Sequence, residues 1–424
     1  MANIGDSVKK VFKPIEHPWR FFTGDRVLWI IVVALSVISV LVVYSSTAKM
    51  AYASYGSGST AHFLRQQLLI IAGCFVIMMV VQRINSRTYK WLTPLAFVGS
   101  LILTFAVYFV GSSTNGAARW IDLGFMQLQP SEALKVCTIL FLARQLARKQ
   151  SSIATQCIIP TWRVWRWFKD KEQKQILRQG FCPILLPILI ASMVILPAHT
   201  SSAVLLFGVS LVMMFIGRVN IKELLKIVGY ACIGVMLLGT LNMGRSETAK
   251  GRVGTWVEFW TDSTNVKPVE HLSDTERSII AIHNGGLIGK GAGQSAMRVE
   301  MIHPESDYAY AFFVEEYGFI MASVVLMLYL WIFFRAIVIS RKCGTAFPIL
   351  MVLGLALMIT CQALLHVMVT VNLIPETGQT LPLISRGGSS MLFTSIALGM
   401  ILSVSRQNDE HSHDTPKDES MLER

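Results

Sequence analysis

The feature that most constrains this chain is a series of apolar blocks that are too long for an ordinary soluble domain. Two examples are "VLWIIVVALSVISVLVVY" at 27–44 and "MASVVLMLYLWIFF" at 321–334. A helix needs roughly 20 apolar residues to cross a bilayer, and by that measure the chain contains about ten spans. The predicted centres of these spans fall near residues 36, 75, 101, 138, 190, 209, 233, 323, 360 and 397.

The composition and the length of the blocks together define the fold class. The chain is 53% hydrophobic and only 15% charged, whereas about a quarter of the residues in a soluble protein are charged. Backbone groups in lipid must be satisfied within the segment, so continuous apolar runs indicate helices, and a β-barrel would show short alternating segments instead. We therefore predict an all-α polytopic membrane helix bundle with about ten transmembrane helices. The predicted parts are a cytoplasmic tail at 1–25, a ten-span domain at 26–406 and a second cytoplasmic tail at 407–424.

The distribution of charge gives the orientation of the bundle. The net charge is +12, but Lys and Arg concentrate in alternate loops, for example around Lys9, Arg83, Arg218 and Arg341. This pattern follows the positive-inside rule, so both termini are predicted to be cytoplasmic, and membrane lipids rather than nucleic acid are the expected partners of the basic residues. The seven cysteines lie outside the predicted outer loops and are interpreted as reduced packing residues without a disulfide framework.

Three predicted outer loops hold most of the Gly, Pro and hydroxyl residues that are not in lipid. They are residues 111–135, a large loop at 242–306 between spans seven and eight, and residues 372–390. The large loop contains "HNGGLIGKGAGQS" (283–295), which is neither a Walker A motif nor a Rossmann fingerprint. Two interpretations stay open: a nest of backbone amides that binds an anion, or a loop that packs tightly on the bundle.

The stretch "MIHPESDYAYAFFVEEYGFI" (301–320) places several carboxylates at the start of an apolar span. With Pro304 at the first helical position, Glu305 and Asp307 would fall in the first turn, where the helix dipole favours acids. Asp307 and Glu315 are eight residues apart, which is roughly 12 Å along a helix and exceeds the spacing of a glycosidase carboxylate pair. This helix by itself therefore presents no dyad. One of Glu315 and Glu316 is expected to pair with a basic residue and brace the helix.

Several motifs, in order along nearly the whole chain, resemble the SEDS family (shape, elongation, division and sporulation). They are "VYSSTA" (43–48), "FLRQQL" (63–68), "NGAARWIDLGFMQLQPSEALK" (115–135), "GGLIGKG" (285–291), "PESDYAYAFFVEEYGFI" (304–320) and "LPLISRGGSS" (381–390). The "QTLPLIS" stretch is similar to the division branch of the family more than to the elongation branch.

The resemblance implies a glycosyltransferase that polymerises lipid II into peptidoglycan strands, with Asp307 as the catalytic residue. The sequence departs from the family pattern at His199, His366 and Arg386, which leaves the roles of these positions open. His366 lies within a predicted span and is expected to be a buried hydrogen-bonding residue. The predicted substrate-binding residues, some carried by the resemblance and some by their charge in an outer loop, are Arg65, Arg119, Glu132, Lys135, Arg252, Lys290, Arg386, Ser389 and Ser390.

A single carboxylate is enough for the implied reaction, because a lipid pyrophosphate can leave without a general acid when cations stabilise it. Asp307 would deprotonate the acceptor hydroxyl at the outer face of the inner membrane, at the division septum. No metal-ligand set is visible, and a divalent cation such as Mg²⁺ or Mn²⁺ stays open as a cofactor. The family implies an undecaprenyl-linked glycan, a class B penicillin-binding protein and other division proteins as partners. The alternatives are a lipid II flippase, an elongation-type polymerase and a scaffold that only recruits a partner.

Overall fold

The computed structural model describes residues 22–46, 61–114, 117–122, 127–150, 153, 157–159, 170–240, 246–261, 272–297, 301 and 306–414. Twelve helices and three short strands account for most of these residues. All ten predicted span centres fall inside helices, and seven helices of the described residues are long and apolar enough to cross a membrane. The protein is therefore a polytopic membrane helix bundle, as predicted.

The first half of the bundle contains α1 to α6 and a small sheet. The elements are α1 (Arg26–Ser46), α2 (Ala61–Val81), α3 (Ser86–Val110), β1 (Ser112–Thr114), β2 (Ala117–Asp122), β3 (Gln127–Leu128), α4 (Pro130–Arg148), α5 (Lys171–Ile195) and α6 (Thr200–Ile216). The three strands form an antiparallel sheet in the order β1-β2-β3 within the first predicted outer loop. The sequence did not predict these strands, because they are too short to show a periodic pattern.

The second half contains α7 to α12. The elements are α7 (Ile221–Thr240), α8 (Ser246–Thr261), α9 (Asp274–Gly285), α10 (Ala309–Arg341), α11 (Ala346–Thr370) and α12 (Gly388–Asp414). The large outer loop at 242–306 is partly helical, since α8 and α9 lie within it. A capping box between Ser273 and Glu276 starts α9. α12 continues past the predicted end of the membrane domain at 406.

The buried centre of the bundle is formed mainly by α4, α10, α11 and α12, whereas α2 and α3 carry many exposed apolar side chains. Exposed apolar residues on a membrane helix face lipid, so α2 and α3 lie at the periphery. α10 packs against α11, α9 and α1, and α4 packs against α3 and α11. This arrangement brings the start of α10 next to the segment between α11 and α12, where the predicted site residues collect.

Candidate functional site

Asp307 lies in a turn at 306–308, immediately before α10. The prediction that this helix begins at Pro304 with Asp307 in its first turn is wrong for the described part, because the helix begins at Ala309; Pro304 and Glu305 lie outside the described residues. The reason is tertiary. The Ser306 carbonyl accepts from Ser385 Oγ at 2.8 Å, and the Tyr310 amide donates to His366 Nε2 at 3.4 Å. The helical hydrogen bond from the Tyr310 amide to the Ser306 carbonyl is thus replaced by two hydrogen bonds to residues distant in the sequence.

The segment from Asn372 to Thr380, which we call the outer strap, runs past this turn without regular secondary structure. Side chains from three helices hold its carbonyl groups. The donors are Trp256 and Trp260 to Asn372 (3.0 and 3.3 Å), Arg252 to Glu376 (3.2 Å), Ser201 to Thr377 (2.6 Å), His366 to Gln379 (2.8 Å) and Gln362 to Thr380 (3.1 Å). Because α6, α8 and α11 all contribute, the position of the strap depends on the assembled bundle.

The outer strap passes close to Asp307 at Gly378. A Cβ atom added at Gly378, where φ is +60°, would lie 3.9 Å from Asp307 Oδ2. Two residues earlier, burial raises the pKa of the Glu376 carboxyl; the guanidinium of Arg252 opposes this, and the negative charges of Asp307 and Asp274 add to it. The structure therefore places a second carboxylate, Glu376, in the electrostatic neighbourhood of Asp307.

Three predicted substrate-binding cations gather around His199, at the N-terminus of α6. The pKa of His199 is lowered to about 3, mainly by burial and also by the positive charges of Arg119, Lys135 and Arg252, while a hydrogen bond to the Gly378 backbone opposes the shift. The imidazole is therefore neutral near pH 7. Gln379 Nε2 lies 3.3 Å from His199 Nδ1, which joins this imidazole to the outer strap. The result is a positively charged environment beside the strap and Asp307.

Lys135 and Glu132 form a fully packed ion pair on α4. The Lys135 ammonium is completely buried and lies 2.8 Å from Glu132 Oε1 and 3.2 Å from Gln362 Oε1. Gln362 in turn donates to the Thr380 carbonyl. Through Gln362, these two predicted binding residues are linked to the outer strap. The positive charge of Lys135 is buried.

Ser389 and Ser390 join the start of α12 to the small sheet and the outer strap. Ser389 Oγ accepts from the Gln129 amide at 2.9 Å and donates to the Gln127 carbonyl at the small sheet. Thr380 Oγ1 donates to Ser390 Oγ at 3.0 Å. Both hydroxyl groups are buried, so in this structure they fix the strap and the sheet relative to each other.

Arg65 lies near the N-terminus of α2, and Arg386 contacts the same end of this helix, apart from the cations around His199. Arg386 donates to Gln66 Oε1 at 3.1 Å, and its guanidinium carbon lies 4.7 Å from the centroid of the Phe63 ring. Arg65 is exposed on the same helix. Arg386, one of the three departures from the family pattern, is therefore held by a cation–π contact with α2.

The predicted deep carboxylates are both buried in α10. Glu315 is 0% exposed and accepts from Lys290 Nζ at 3.2 Å, from Ser295 Oγ and from the amides of Ala296 and Met297 at 3.1 and 3.4 Å. Glu316 accepts from Ser45 Oγ at 2.5 Å and from the Gly293 amide at 2.9 Å. Lys290, predicted to bind pyrophosphate, thus lies against Glu315.

The glycine-rich loop at 285–297 packs on an interruption of α10. Gly318 has φ +81° within the helix, and the amides of Lys290 and Gly291 donate to the carbonyls of Glu315 and Glu316 at 3.0 and 2.9 Å. A Cβ at Gly289 would lie 2.3 Å from the Glu316 carbonyl oxygen. These loop amides are directed at the helix, so the geometry agrees with the tight-packing interpretation of this loop. His366 on α11 is buried, as expected, and its imidazole is hydrogen-bonded to the Gln379 carbonyl and the Tyr310 amide.

Sequence reasoning missed the roles of Glu376, Gln379 and His199 in this constellation. The available signals were the polar run "PETGQT" (375–380) in the third predicted outer loop and the departure from the family pattern at His199. Within the described ranges, no group of three or more His, Cys, Asp or Glu side chains is arranged to hold a metal ion.

The fold and this constellation define a polytopic membrane protein with carboxylates and cations gathered at one end of a helix bundle. The model of the FtsW/RodA/SpoVE family, described as cell cycle proteins, matches residues 25–410. The chain therefore belongs to this family.

Named relatives and solved structures span nearly the whole chain. A probable peptidoglycan glycosyltransferase FtsW of Aliivibrio salmonicida is 27% identical over 413 residues, with 95% of each chain covered. Stage V sporulation protein E of Bacillus subtilis is 28% identical over 389 residues, covering 90% of this chain and 97% of that protein. Rod shape determining protein RodA of Thermus thermophilus shares the fold, with a TM-score of 0.60, 22% identity and coverage of 92% of this chain and 99% of that one. A chain from a structure of a peptidoglycan synthase complex, described as coordinating polymerization and crosslinking, has a TM-score of 0.64, 22% identity and coverage of 91% and 98%.

Proposed function

We propose that this protein is a peptidoglycan glycosyltransferase that polymerises lipid II at the outer face of the cytoplasmic membrane during cell division. Relatives along almost the full chain carry the name FtsW, a probable peptidoglycan glycosyltransferase. The observation that carries the assignment in this molecule is the position of Asp307, half-buried beside the outer strap and close to a group of cations. Both termini are cytoplasmic in this proposal, as the distribution of basic residues predicts.

In the proposed reaction Asp307 accepts the proton of the 4-hydroxyl of the acceptor sugar. The resulting oxygen nucleophile forms a bond to the anomeric carbon of the donor glycan, and the bond from that carbon to the pyrophosphate oxygen breaks. Undecaprenyl diphosphate leaves with the electron pair. Arg119 and Arg252 supply positive charge near the leaving group, and Lys135 reinforces it from its buried position.

The proposed partner is a transpeptidase that crosslinks the new strands, namely a class B penicillin-binding protein. The structural neighbour from a peptidoglycan synthase complex supports a partnership of polymerase and crosslinking activity. A flippase would need polar residues lining a path across the bilayer. The mid-span residues Gln362 and His366 are instead buried and bonded to the outer strap, which favours the polymerase.

The test is polymerisation of fluorescent lipid II by the purified full chain with its candidate partner, with glycan strands resolved on a gel. We expect strands from the wild type and none from Asp307→Asn. The matched control is Glu258→Gln, which removes an exposed carboxylate on α8. Full polymerisation by Asp307→Asn would refute the assignment of the base. Headgroup translocation in vesicles without any glycan product would support the flippase.

A further inference from the structure

His366 on α11 joins two segments that approach each other at Asp307. The residue is 1% exposed, its Nε2 atom accepts from the Tyr310 amide at 3.4 Å, and its Nδ1 atom lies 2.8 Å from the Gln379 carbonyl oxygen. An amide N–H can only donate a hydrogen bond, and a carbonyl oxygen can only accept one. The imidazole is therefore in the neutral tautomer with its hydrogen on Nδ1, and both ring nitrogens take part in the bridge.

The first of these segments carries Asp307. In an uninterrupted helix the Tyr310 amide would donate to the Ser306 carbonyl and enclose Asp307 in a helical turn. His366 accepts from that amide instead, and the Ser306 carbonyl accepts from Ser385 Oγ at 2.8 Å. The backbone groups on both sides of Asp307 are thus satisfied by α11 and by the segment that precedes α12. As a result Asp307 lies in a turn before α10, and its position depends on the contact with His366.

The second segment is the outer strap, which passes close to Asp307 at Gly378. A Cβ atom at Gly378 would be 3.9 Å from Asp307 Oδ2. The next residue, Gln379, is held through its carbonyl by His366 and through its side-chain amide, which donates to Ser202 Oγ at 2.8 Å. The imidazole of His366 is therefore bonded both to the neighbour of Gly378 and to the helix start that follows Asp307. One rigid ring spans the two segments.

We propose that His366 is a positioning residue for Asp307: its two hydrogen bonds hold the turn before α10 against the outer strap. This inference rests on the proposed function. A general base must lie within hydrogen-bond reach of the proton that it removes, and a displacement of about 1 Å can cost about a hundredfold in rate. Arg119 and Arg252, which supply charge for the donor pyrophosphate, lie on β2 and α8. Loss of the bridge should therefore lower kcat much more than it raises KM.

The test is the steady-state rate of lipid II polymerisation by the full chain with its partner, measured across lipid II concentrations. His366→Leu removes both bonds, and we expect kcat to fall about a hundredfold with KM little changed. His366→Asn keeps a donor in the place of Nδ1 and His366→Gln keeps an acceptor in the place of Nε2, so each should recover part of the lost kcat. The matched control is Thr360→Val, which removes a different buried hydrogen bond from α11, to the Tyr329 carbonyl in the middle of α10. This control should lower the melting temperature and leave kcat unchanged.

The outcomes separate this inference from the proposed function. An inactive wild type refutes the proposed function, and a fully active Asp307→Asn variant refutes its base; the inference falls with either. If both results are as expected and His366→Leu keeps the wild-type kcat, or loses activity only through KM, the inference alone is wrong. It is also wrong if neither amide variant recovers any rate. The same holds if Thr360→Val, at a similar loss of melting temperature, lowers kcat as much as His366→Leu does, since that result would indicate a general loss of structure.

Discussion

Glu315 offers the most direct test of how a buried carboxylate holds this structure together. It is fully buried and accepts four hydrogen bonds from the glycine-rich loop at 285–297, one of them from Lys290. In Glu315→Gln one oxygen remains as an acceptor, while the new NH₂ group faces donors. About two of the four charge-assisted bonds are lost at about 1.5 kcal/mol each, so we expect a destabilisation of about 3 kcal/mol.

The loss should be local before it is global, because the weakened bonds join only this loop to α10, where backbone bonds from Lys290 and Gly291 remain. Thermal melting in detergent would measure the overall change. Hydrogen exchange of the amides between 286 and 297 would measure opening of the loop, with an expected increase of about a hundredfold for 3 kcal/mol. The matched control is Lys290→Met. The Lys290 side chain is 33% exposed, and its removal leaves the hydroxyl and amide donors around the buried Glu315 carboxylate, so it should cost about 1–2 kcal/mol, less than Glu315→Gln.

Two results would refute this reasoning. An unchanged rate of hydrogen exchange for the amides between 286 and 297 in Glu315→Gln would mean that the Glu315 carboxylate does not hold this loop. An equal effect of Lys290→Met would mean that the ion pair dominates and that the buried hydroxyl and amide bonds to Glu315 contribute little.

Three further perturbations follow from the structure. The pKa of His199 is lowered from 6.5 to about 3 on folding, so protonation of the unfolded chain reduces the free energy of unfolding as pH falls below 6.5. The wild type should lose up to about 2 kcal/mol of stability between pH 7 and pH 5. In melting curves recorded across this pH range, His199→Gln should flatten the dependence. Gly318→Ala should lower the melting temperature, because its Cβ would lie 2.4 Å from a loop carbonyl at φ +81°, whereas Gly344→Ala has no atom within 4 Å and should be neutral. Lys135→Met leaves Glu132 buried without its cation and should cost about 3–5 kcal/mol, which Glu132→Gln in the same chain should largely recover.

The sequence alone was sufficient to predict the helical bundle. In lipid each segment must satisfy its own backbone hydrogen bonds, and an apolar segment does so by forming a helix. A run of about 20 apolar residues indicates a spanning helix wherever it packs. For this reason the ten predicted centres all fall in helices. The assignment of Asp307 as the catalytic residue came from motif resemblance and stays a prediction. The strands of the first outer loop and the helices α8 and α9 were not foreseen, since short or weakly patterned elements depend on their surroundings.

Only the tertiary structure decided which of these residues meet. The turn that contains Asp307 and the strap that carries Glu376 belong to distant parts of the chain, and they come together because α9, α10 and α11 pack as they do. The same packing separates Lys290, which joins Glu315, from Arg119, Lys135 and Arg252, which surround His199. Hydropathy determines that a helix lies in the membrane, but it is insensitive to the rotation and depth of that helix. Those two quantities, which arise from side-chain packing between helices, determine the composition of the site.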